Sequence, residues 1–419
     1  KGVDLFSGYD PVHLEARPDL VIIGNAVTRD NPEARAVMEK QIPYLSMPQA
    51  VNRFLARDKK IILVTGTHGK TTTSSIMAHI LAHAGLDPSF MIGGILRDYD
   101  SSFRIGTGEY MVIEGDEYDT AFFDKGPKFM HYEPHIAIMT GVEFDHADIF
   151  RDLDHIKAVF SAFVKKNQKD SHLIACVENS TLMGIVDQNR AIAQTYGEGR
   201  NGKGNWYITG HEASKGKTRA RVHGPAIEYA IETQLVGRHN LLNFLACAAA
   251  AEQMGVPVPK IQEAMACFSG IKRRQEIRGI KNQITVMDDF AHHPSAVRET
   301  IAAVKPFYSK GRVIAVFEPR TNTSMRHFFQ DSYPEAFKAA DMVCICKPSV
   351  NKPIPEKERF STEKLVSDIN GLGGDAHCFD SVGDLLGFLP LRLRSKDLVL
   401  VMSNGGFDNI HTRILDLIE

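Results

Sequence analysis

The stretch Lys60-Ile61-Ile62-Leu63-Val64-Thr65-Gly66-Thr67-His68-Gly69-Lys70-Thr71-Thr72-Thr73, running on into Ser74-Ser75-Ile76-Met77-Ala78-His79-Ile80-Leu81, decides the fold. It reads as a buried strand, a glycine turn and a helix. Glycines let the backbone turn tightly enough for several N–H groups to face one anion. The N-terminus of the following helix adds partial positive charge. In that setting Lys70 reaches β- and γ-phosphates, and the Thr71 hydroxyl ligates Mg²⁺. The usual phosphate loop opens with a glycine separated by four residues from the Gly-Lys pair. Val64 stands there, and Gly66 supplies the freedom closer to the lysine. A lysine in this place acts on phosphate charge and is expected to lie outside the core, so its removal should spare the fold.

Working outward, the chain has 419 residues, too many for one ordinary core, so two or three domains are expected. A formal net charge of −2 gives no global pull toward nucleic acid or a membrane surface. The longest apolar stretch, Leu241 to Ala251, is broken by Asn243 and is too short to span a bilayer. The opening residues give no expectation of a signal peptide. Six cysteines, at 176, 247, 267, 344, 346 and 378, form no C-x-x-C pair. Cys344 and Cys346 alternate as core residues of a strand do. Reduced thiols and a cytoplasmic protein are expected.

Upstream of the phosphate loop, Asp19-Leu20-Val21-Ile22-Ile23 reads as a strand ending in Gly24-Asn25-Ala26. Asn31 caps a helix with Pro32 at its first position, ending near Lys40. A second helix is expected from Met47-Pro48 to Arg57. Residues 1–58 thus resemble a Rossmann-like unit without a Gly-rich first turn. Either this unit binds no dinucleotide, or its beginning is missing from the sequence. Residues 59–270 read as a central domain, with strands at Lys60–Val64, Tyr110–Glu114, His135–Thr140 and His172–Cys176 and helices between them, the pattern of a parallel α/β sheet. Asn201-Gly202-Lys203-Gly204-Asn205 is a turn, and Glu228–Thr233 alternates as an exposed antiparallel strand does. A helix from His239 to Met254 comes next. Residues 271–419 read as another α/β unit, with strands at Ile284–Met287, Arg312–Phe317, Met342–Cys346 and Leu398–Met402. Ligands sit at the carboxyl ends of such strands. Those ends carry Asp288-Asp289, Glu318-Pro319-Arg320 and Ser403-Asn404-Gly405-Gly406.

Three further groups bear on chemistry. Glu114 ends an apolar strand and opens Glu114-Gly115-Asp116-Glu117-Tyr118-Asp119; hard oxygen donors beside a phosphate loop suit Mg²⁺. Asp145-His146 lies past the end of the next strand, and a histidine held by an acid can ligate a second cation. In Gly237-Arg238-His239-Asn240-Leu241-Leu242-Asn243, two asparagines one helical turn apart can face one ligand. Lys272-Arg273-Arg274 and Asp288-Asp289 open the last unit. An arginine there either neutralises phosphate charge when domains close or forms an interdomain salt bridge.

Taken in order, these pieces resemble the Mur ligase family over nearly the whole chain, with Ala291-His292-His293-Pro294 completing the series. The resemblance implies three domains: a UDP-sugar domain, a central ATPase and a C-terminal domain presenting the amine. It places ATP on Gly66 to Thr72, His239, Asn240, Asn243, Arg274 and Asp289, with Lys70, Glu114, His146, Arg274 and Asp289 in catalysis. Two Mg²⁺ ions would be held by Thr71, Glu114 and His146. Substrates fall to Gly24, Asn25, Ala26, Asp116, Glu117, His292, His293, Arg320, Asn322 and Asn404. The segments Phe317–Ser324 and Met402–Phe407 resemble the branch that joins UDP-N-acetylmuramate to L-alanyl-γ-D-glutamyl-meso-diaminopimelate in peptidoglycan recycling. The alanine-adding branch carries two arginines where Thr321 and Ser324 stand, and their loss would leave room for a peptide. Some members carry a carbamylated lysine about sixteen residues past the aspartate of Asp145-His146; Ser161 occupies that place, and none is expected. The alternatives are the alanine-adding ligase, a folate polyglutamate ligase, and a P-loop switch that hydrolyses ATP to move a partner.

Overall fold

The computed structural model describes residues 2–145, 147, 149–199, 204–214, 216–348 and 354–418. His146 and the first part of the 201–205 turn lie outside them.

The N-terminal stretch forms a small parallel pair, Val21–Ile23 with Tyr44–Ser46, joined by the helix Pro32–Glu39. Asn31 caps that helix by accepting from the N–H groups of Glu33 (3.0 Å) and Ala34 (3.2 Å). The second expected helix is α-helical only over Met47–Val51 and continues as a π-helical turn, Asn52–Ala56. The Asn52 amide donates to the His131 carbonyl, 2.5 Å away, tying this segment to the short helical turn Lys128–His131.

A ten-stranded sheet dominates the molecule. Its middle runs Ala193–Gly197, His172–Cys176, Ile136–Met139, Lys60–Thr65, Tyr110–Gly115 and Ser89–Leu96, all parallel. Ile62, Leu63 and Val64 are fully buried, as strands covered on both faces must be. The helix Lys70–His83 covers one face and is buried from Lys70 to Leu81. It packs against the sheet on one side and against the helices Arg238–Gln253 and Val258–Cys267 on the other. The run Ala248–Ala251 is fully buried in that packing. Its small side chains let helices approach closely. At one end the sheet continues through Trp206–Ser214, which joins it in parallel, and then turns antiparallel in Lys217–His223 and Glu228–Thr233.

The last unit is a six-stranded sheet in the order Glu276–Lys281, Ile284–Asp289, Leu398–Met402, Val313–Phe317, Met342–Cys346 and Ala376–Phe379. Only the first strand is antiparallel. Separate apolar clusters cover its two faces, and Cys344 and Cys346 are buried in one of them. The linker between the two sheets is anchored: Arg97 N–H donates to Gly270 O (3.1 Å) and Lys272 N–H to Ile95 O (3.0 Å). Because Ile284–Asp289, Leu398–Met402 and Val313–Phe317 are neighbours, Asp289, Ser403 and Glu318 emerge side by side. Among the described residues no helix is long and apolar enough to cross a membrane.

Candidate active site

Two glycines shape the phosphate loop. Gly66 has φ +126°, and a Cβ there would lie 2.4 Å from Thr140 Oγ1. Gly69 has φ +81°, and its Cβ would meet Asn243 Oδ1 at 2.5 Å. Neither place admits a side chain without displacement. Thr67 N–H donates to Gly141 O (2.9 Å), and Glu143 N–H to Thr67 Oγ1 (2.9 Å), so the loop is tied to the chain leaving Ile136–Met139.

Lys70 is not outside the core, and here the expectation from sequence is corrected. Its Nζ lies 2.6 Å from Glu117 Oε2 and donates to Gly66 O at 2.8 Å. Lys70 is 9% exposed and Glu117 2%. Burial opposes the lysine's charge, but Glu117, Asp116 and Glu114 outweigh it and raise the pKa. Removing Lys70 alone therefore strands a buried carboxylate. Glu117, expected on substrate, is engaged with the P-loop lysine. Asp116 pairs with Lys128 at 3.1 Å.

Glu114 accepts from Thr71 Oγ1 (2.8 Å) and from Gly93 N–H (2.6 Å). Burial and then Asp116 push its pKa up, against the pull of Lys70. A hydroxyl and a carboxylate in contact beside a phosphate-binding turn form an oxygen donor set that fits Mg²⁺. Arg274 reaches the same point from across the linker, its Nη2 donating to Thr71 Oγ1 at 3.3 Å. Its guanidinium lies 4.8 Å from the Phe290 ring centroid, which orients it. Asp289 fixes the turn that carries Arg274, accepting from the N–H groups of Gln275 and Ala291, both at 2.8 Å. Burial raises the Asp289 pKa while Arg274 lowers it.

Asn240 and Asn243 share one helix face as expected: Asn243 Nδ2 donates to Asn240 Oδ1 at 3.4 Å, and the Asn243 carboxamide borders Gly69. Burial, then Arg274 and Arg238, hold His239 down to about 4, so it is neutral at pH 7. His293 sits with its ring centroid 4.6 Å from that of His68, and His292 Nε2 is 3.9 Å from Asp145 Oδ2. The hub of this seam is Glu143, which sequence reasoning missed. Its Oε2 accepts from Ser295 Oγ (2.9 Å) and lies 3.6 Å from His68 Nε2 and 4.0 Å from His293 Nδ1. The adjacent His68 imidazole, helped by Ser295 and His293, holds its pKa down to about 2 despite burial. Its signal was an acid just past a strand end, the signal that singled out Glu114.

Across the C-terminal strand ends, Ser403 Oγ donates to Glu318 Oε2 (2.7 Å), and Arg320 lies over Gly405, 3.6 Å from Glu318 Oε1. Asn404 Oδ1 is buried and accepts no hydrogen bond among the described residues, leaving an acceptor for a ligand. Asn322 is half-buried on the neighbouring loop. Thr323 Oγ1 accepts from Ala147 N–H (3.2 Å), so this loop touches the Asp145 loop. Ser324 is fully turned inward: it is 1% exposed and closes a turn with Thr321. Position 324 is thus enclosed in this turn, whereas the sequence reading expected the missing arginines to leave room for a peptide. Gly24, Asn25 and Ala26 stand in an exposed turn after Val21–Ile23. Among the described residues no hydrogen bond joins them to the phosphate-loop group. Ser161 lies on the helix Leu153–Asn167, bonded to Asn189.

Residues 1–59 match the model of the Mur ligase family catalytic domain, 64–251 the Mur ligase middle domain and 273–405 the Mur ligase glutamate ligase domain. The chain is 37% identical to UDP-N-acetylmuramate–L-alanyl-gamma-D-glutamyl-meso-2,6-diaminoheptandioate ligase of Escherichia coli, over 99% of this chain and 88% of that protein. It is 31% identical to UDP-N-acetylmuramate–L-alanine ligase of an Anaeromyxobacter species, over 98% and 87%. The crystal structure of a murein peptide ligase from Psychrobacter arcticus superposes with a TM-score of 0.70 at 31% identity, covering 100% of this chain and 89% of that one.

Proposed function

This chain belongs to the Mur ligase family and is an ATP-dependent, amide-bond-forming ligase of three-domain α/β architecture; we propose that it joins the carboxylate of UDP-N-acetylmuramate to the amine of L-alanyl-γ-D-glutamyl-meso-diaminopimelate, returning recovered peptide to cell-wall synthesis. The domains assigned are 1–58 for the UDP-sugar, 59–270 for ATP and 271–419 for the amine. The stronger identity to the tripeptide ligase than to the alanine ligase supports the choice of amine.

The observation that carries the mechanism is the convergence of Arg274, from beyond the linker, on Thr71 at the start of the P-loop helix. A carboxylate attacking a triphosphate brings two anions together, so cationic charge must lie between them. Lys70 is positioned to leave Glu117 for the β/γ-phosphates. Arg274 is positioned to meet charge on the transferring phosphoryl group. Thr71 and Glu114 would hold Mg²⁺, which when bound screens phosphate charge and polarises the phosphoryl oxygens; His146 is assigned a second cation. Asn240 and Asn243 border the nucleotide beside Gly69. The carboxylate oxygen attacks the γ-phosphorus, ADP leaves, and an acyl phosphate forms. The peptide amine then attacks the acyl carbon, and phosphate departs as the amide forms. Acyl phosphates hydrolyse when wetted, and the seam closed by His68, Glu143, His293 and Ser295 is placed to exclude water.

The test is amide formation by the purified protein given ATP, UDP-N-acetylmuramate and either tripeptide or free L-alanine. Product with the tripeptide and little with alanine supports the reading. Rapid ATP hydrolysis without UDP-sugar, and no amide product, would favour a P-loop switch instead.

A further inference from the structure

At the end of the P-loop helix remote from the phosphate loop, three potential metal ligands meet. His79 and His83 lie one turn apart on the helix Lys70–His83, so their rings share a face. Cys267, the last residue of Val258–Cys267, faces both. Its Sγ is 3.5 Å from His79 Nε2 and 3.9 Å from His83 Nδ1, and one ligand atom from each residue lies within 4.8 Å of the others. A tetrahedral ion with Zn–N of about 2.0 Å and Zn–S of about 2.3 Å requires N···S edges of roughly 3.5 Å. The His79 separation already matches such an edge, and the His83 one exceeds it by a few tenths of an ångström.

The opposite nitrogens supply a second, independent observation. His79 Nδ1 is buried, makes no hydrogen bond among the described residues, and looks at Asp98 Oδ2 from 3.4 Å. His83 Nε2 lies 3.3 Å from Glu263 Oε2. Each imidazole thus turns one nitrogen toward a carboxylate and the other toward the thiol, the arrangement that fixes the tautomer of a metal-bound histidine. His79 Nε2 also lies 3.1 Å from the Ala264 carbonyl, which would give it up on taking a metal. Cys267 is solvent-exposed, so an ion has a way in and a fourth position is open to water.

We propose that His79, His83 and Cys267 form a site for a thiolate-preferring divalent transition ion, Zn²⁺ being the natural fit, that clips the P-loop helix to the helix leading into the interdomain linker. The site is separate from the one assigned to Mg²⁺: thirteen residues of helix at about 1.5 Å each put His83 about 20 Å from Lys70. Sulfur and imidazole select zinc-like ions over magnesium. The metal would fasten the root of the linker, since Asp98 also accepts from Ser269 N–H (3.2 Å) just before the residues that carry Arg274.

The probe is Co²⁺ titrated into the whole, reduced, nucleotide-free protein, with Zn²⁺ competition giving affinity. One equivalent should produce intense visible bands of a tetrahedral site and a near-ultraviolet thiolate-to-cobalt charge-transfer band, both erased by Zn²⁺. Cys267→Ser should abolish the charge-transfer band, and His83→Asn should weaken Zn²⁺ binding at least about tenfold. Glu263→Gln, on an exposed helix face, should weaken it less while leaving the band. The other His-rich group, His68, Glu143 and His293, contains no sulfur and cannot give that band. Absence of the band in the folded wild-type protein, or its persistence in Cys267→Ser, overturns the proposal.

Discussion

Lys70 Nζ lies 2.6 Å from Glu117 Oε2, and both side chains are buried. The P-loop lysine is thus neutralised within the protein before any phosphate reaches it. A triphosphate must displace Glu117 or share the lysine with it. Lys70→Ala should lower turnover by about a thousandfold or more. It should also destabilise the fold by about 3–5 kcal/mol, because the unpaired carboxylate stays buried. In Lys70→Ala/Glu117→Gln the stability loss should shrink while turnover stays lost. Thermal melts alongside ADP release separate the two effects. Equal melting of single and double variants would show that the stranded Glu117 carboxylate is not what destabilises the fold.

Glu114 is expected to act through the Mg²⁺ ion that it and Thr71 would hold. Glu114→Gln keeps the shape and an acceptor for Gly93 N–H while removing charge. Its kcat should fall at limiting Mg²⁺, and the Mg²⁺ concentration for half-maximal rate should rise about tenfold or more. Titrating Mg²⁺ at saturating ATP measures this. A wild-type Mg²⁺ profile in the variant would remove Glu114 from the metal.

The seam between the two large sheets should weaken in acid. His293 faces His68, Glu143, Asp145 and His292. Burial, then His68, hold its pKa down to about 3, against the pull of Asp145 and Glu143. An unfolded histidine titrates near 6.5. The folded state thus binds the proton less readily than the unfolded one. The contribution is complete above about pH 6.5 and is lost as pH falls toward 3, by about 1–2 kcal/mol at pH 5. Between pH 7 and 5 the wild-type melting temperature should fall faster than that of His293→Gln. Parallel slopes would mean that His293 is not the group responsible.

Much of this architecture was legible in the sequence because the central strands are continuous apolar runs. His172–Cys176, Met342–Cys346 and Leu398–Met402 fall where their residues predict. Glu276–Lys281 was not legible, since it is an exposed edge strand with too little apolar patterning. Trp206–Ser214 was missed because its outer end is exposed and polar, and Lys217–His223 because two of its alternating buried positions are only Thr218 and Ala220. The P-loop group could be read from its motif, but the engagement of Glu117 with Lys70 could not. Both side chains look solvated in a linear sequence, and only the pairing of Lys60–Thr65 with Tyr110–Gly115 puts them together. The inward turn of Ser324 was hidden in the same way, since a short polar residue has no pattern that tells a channel wall from a closed turn.

That inward turn changes the test of amine choice. Free alanine offers one small carboxylate, which an arginine fork pairs with bidentately. The tripeptide carries further carboxylates well beyond the attacking amine. Arg320, Asn322 and Asn404, whose Oδ1 is buried without a partner among the described residues, are the groups proposed to grip those remote parts. Binding energy from remote groups helps to position the amine for attack. Tripeptide should therefore exceed free L-alanine in kcat/KM by about a hundredfold or more, equivalent to roughly 3 kcal/mol. The two arginine substitutions should then behave differently. Thr321 is half-buried at the loop surface, so Thr321→Arg can extend outward. It should lower tripeptide kcat/KM by steric and charge conflict with Arg320, and by removing the Thr321 Oγ1 that accepts from Ser324 N–H (3.0 Å) it should lower the melting temperature modestly, less than Ser324→Arg does. Ser324→Arg forces a long cation into a buried turn whose hydroxyl receives the Thr321 N–H at 2.9 Å. It should destabilise the protein by more than about 2 kcal/mol and reduce activity with either amine. Melting temperatures with kcat/KM for both amines distinguish these outcomes. A stable Ser324→Arg enzyme that gains alanine activity would show that the loop opens onto the amine site after all. A wild-type preference for alanine would reassign the substrate while leaving the ligase chemistry in place.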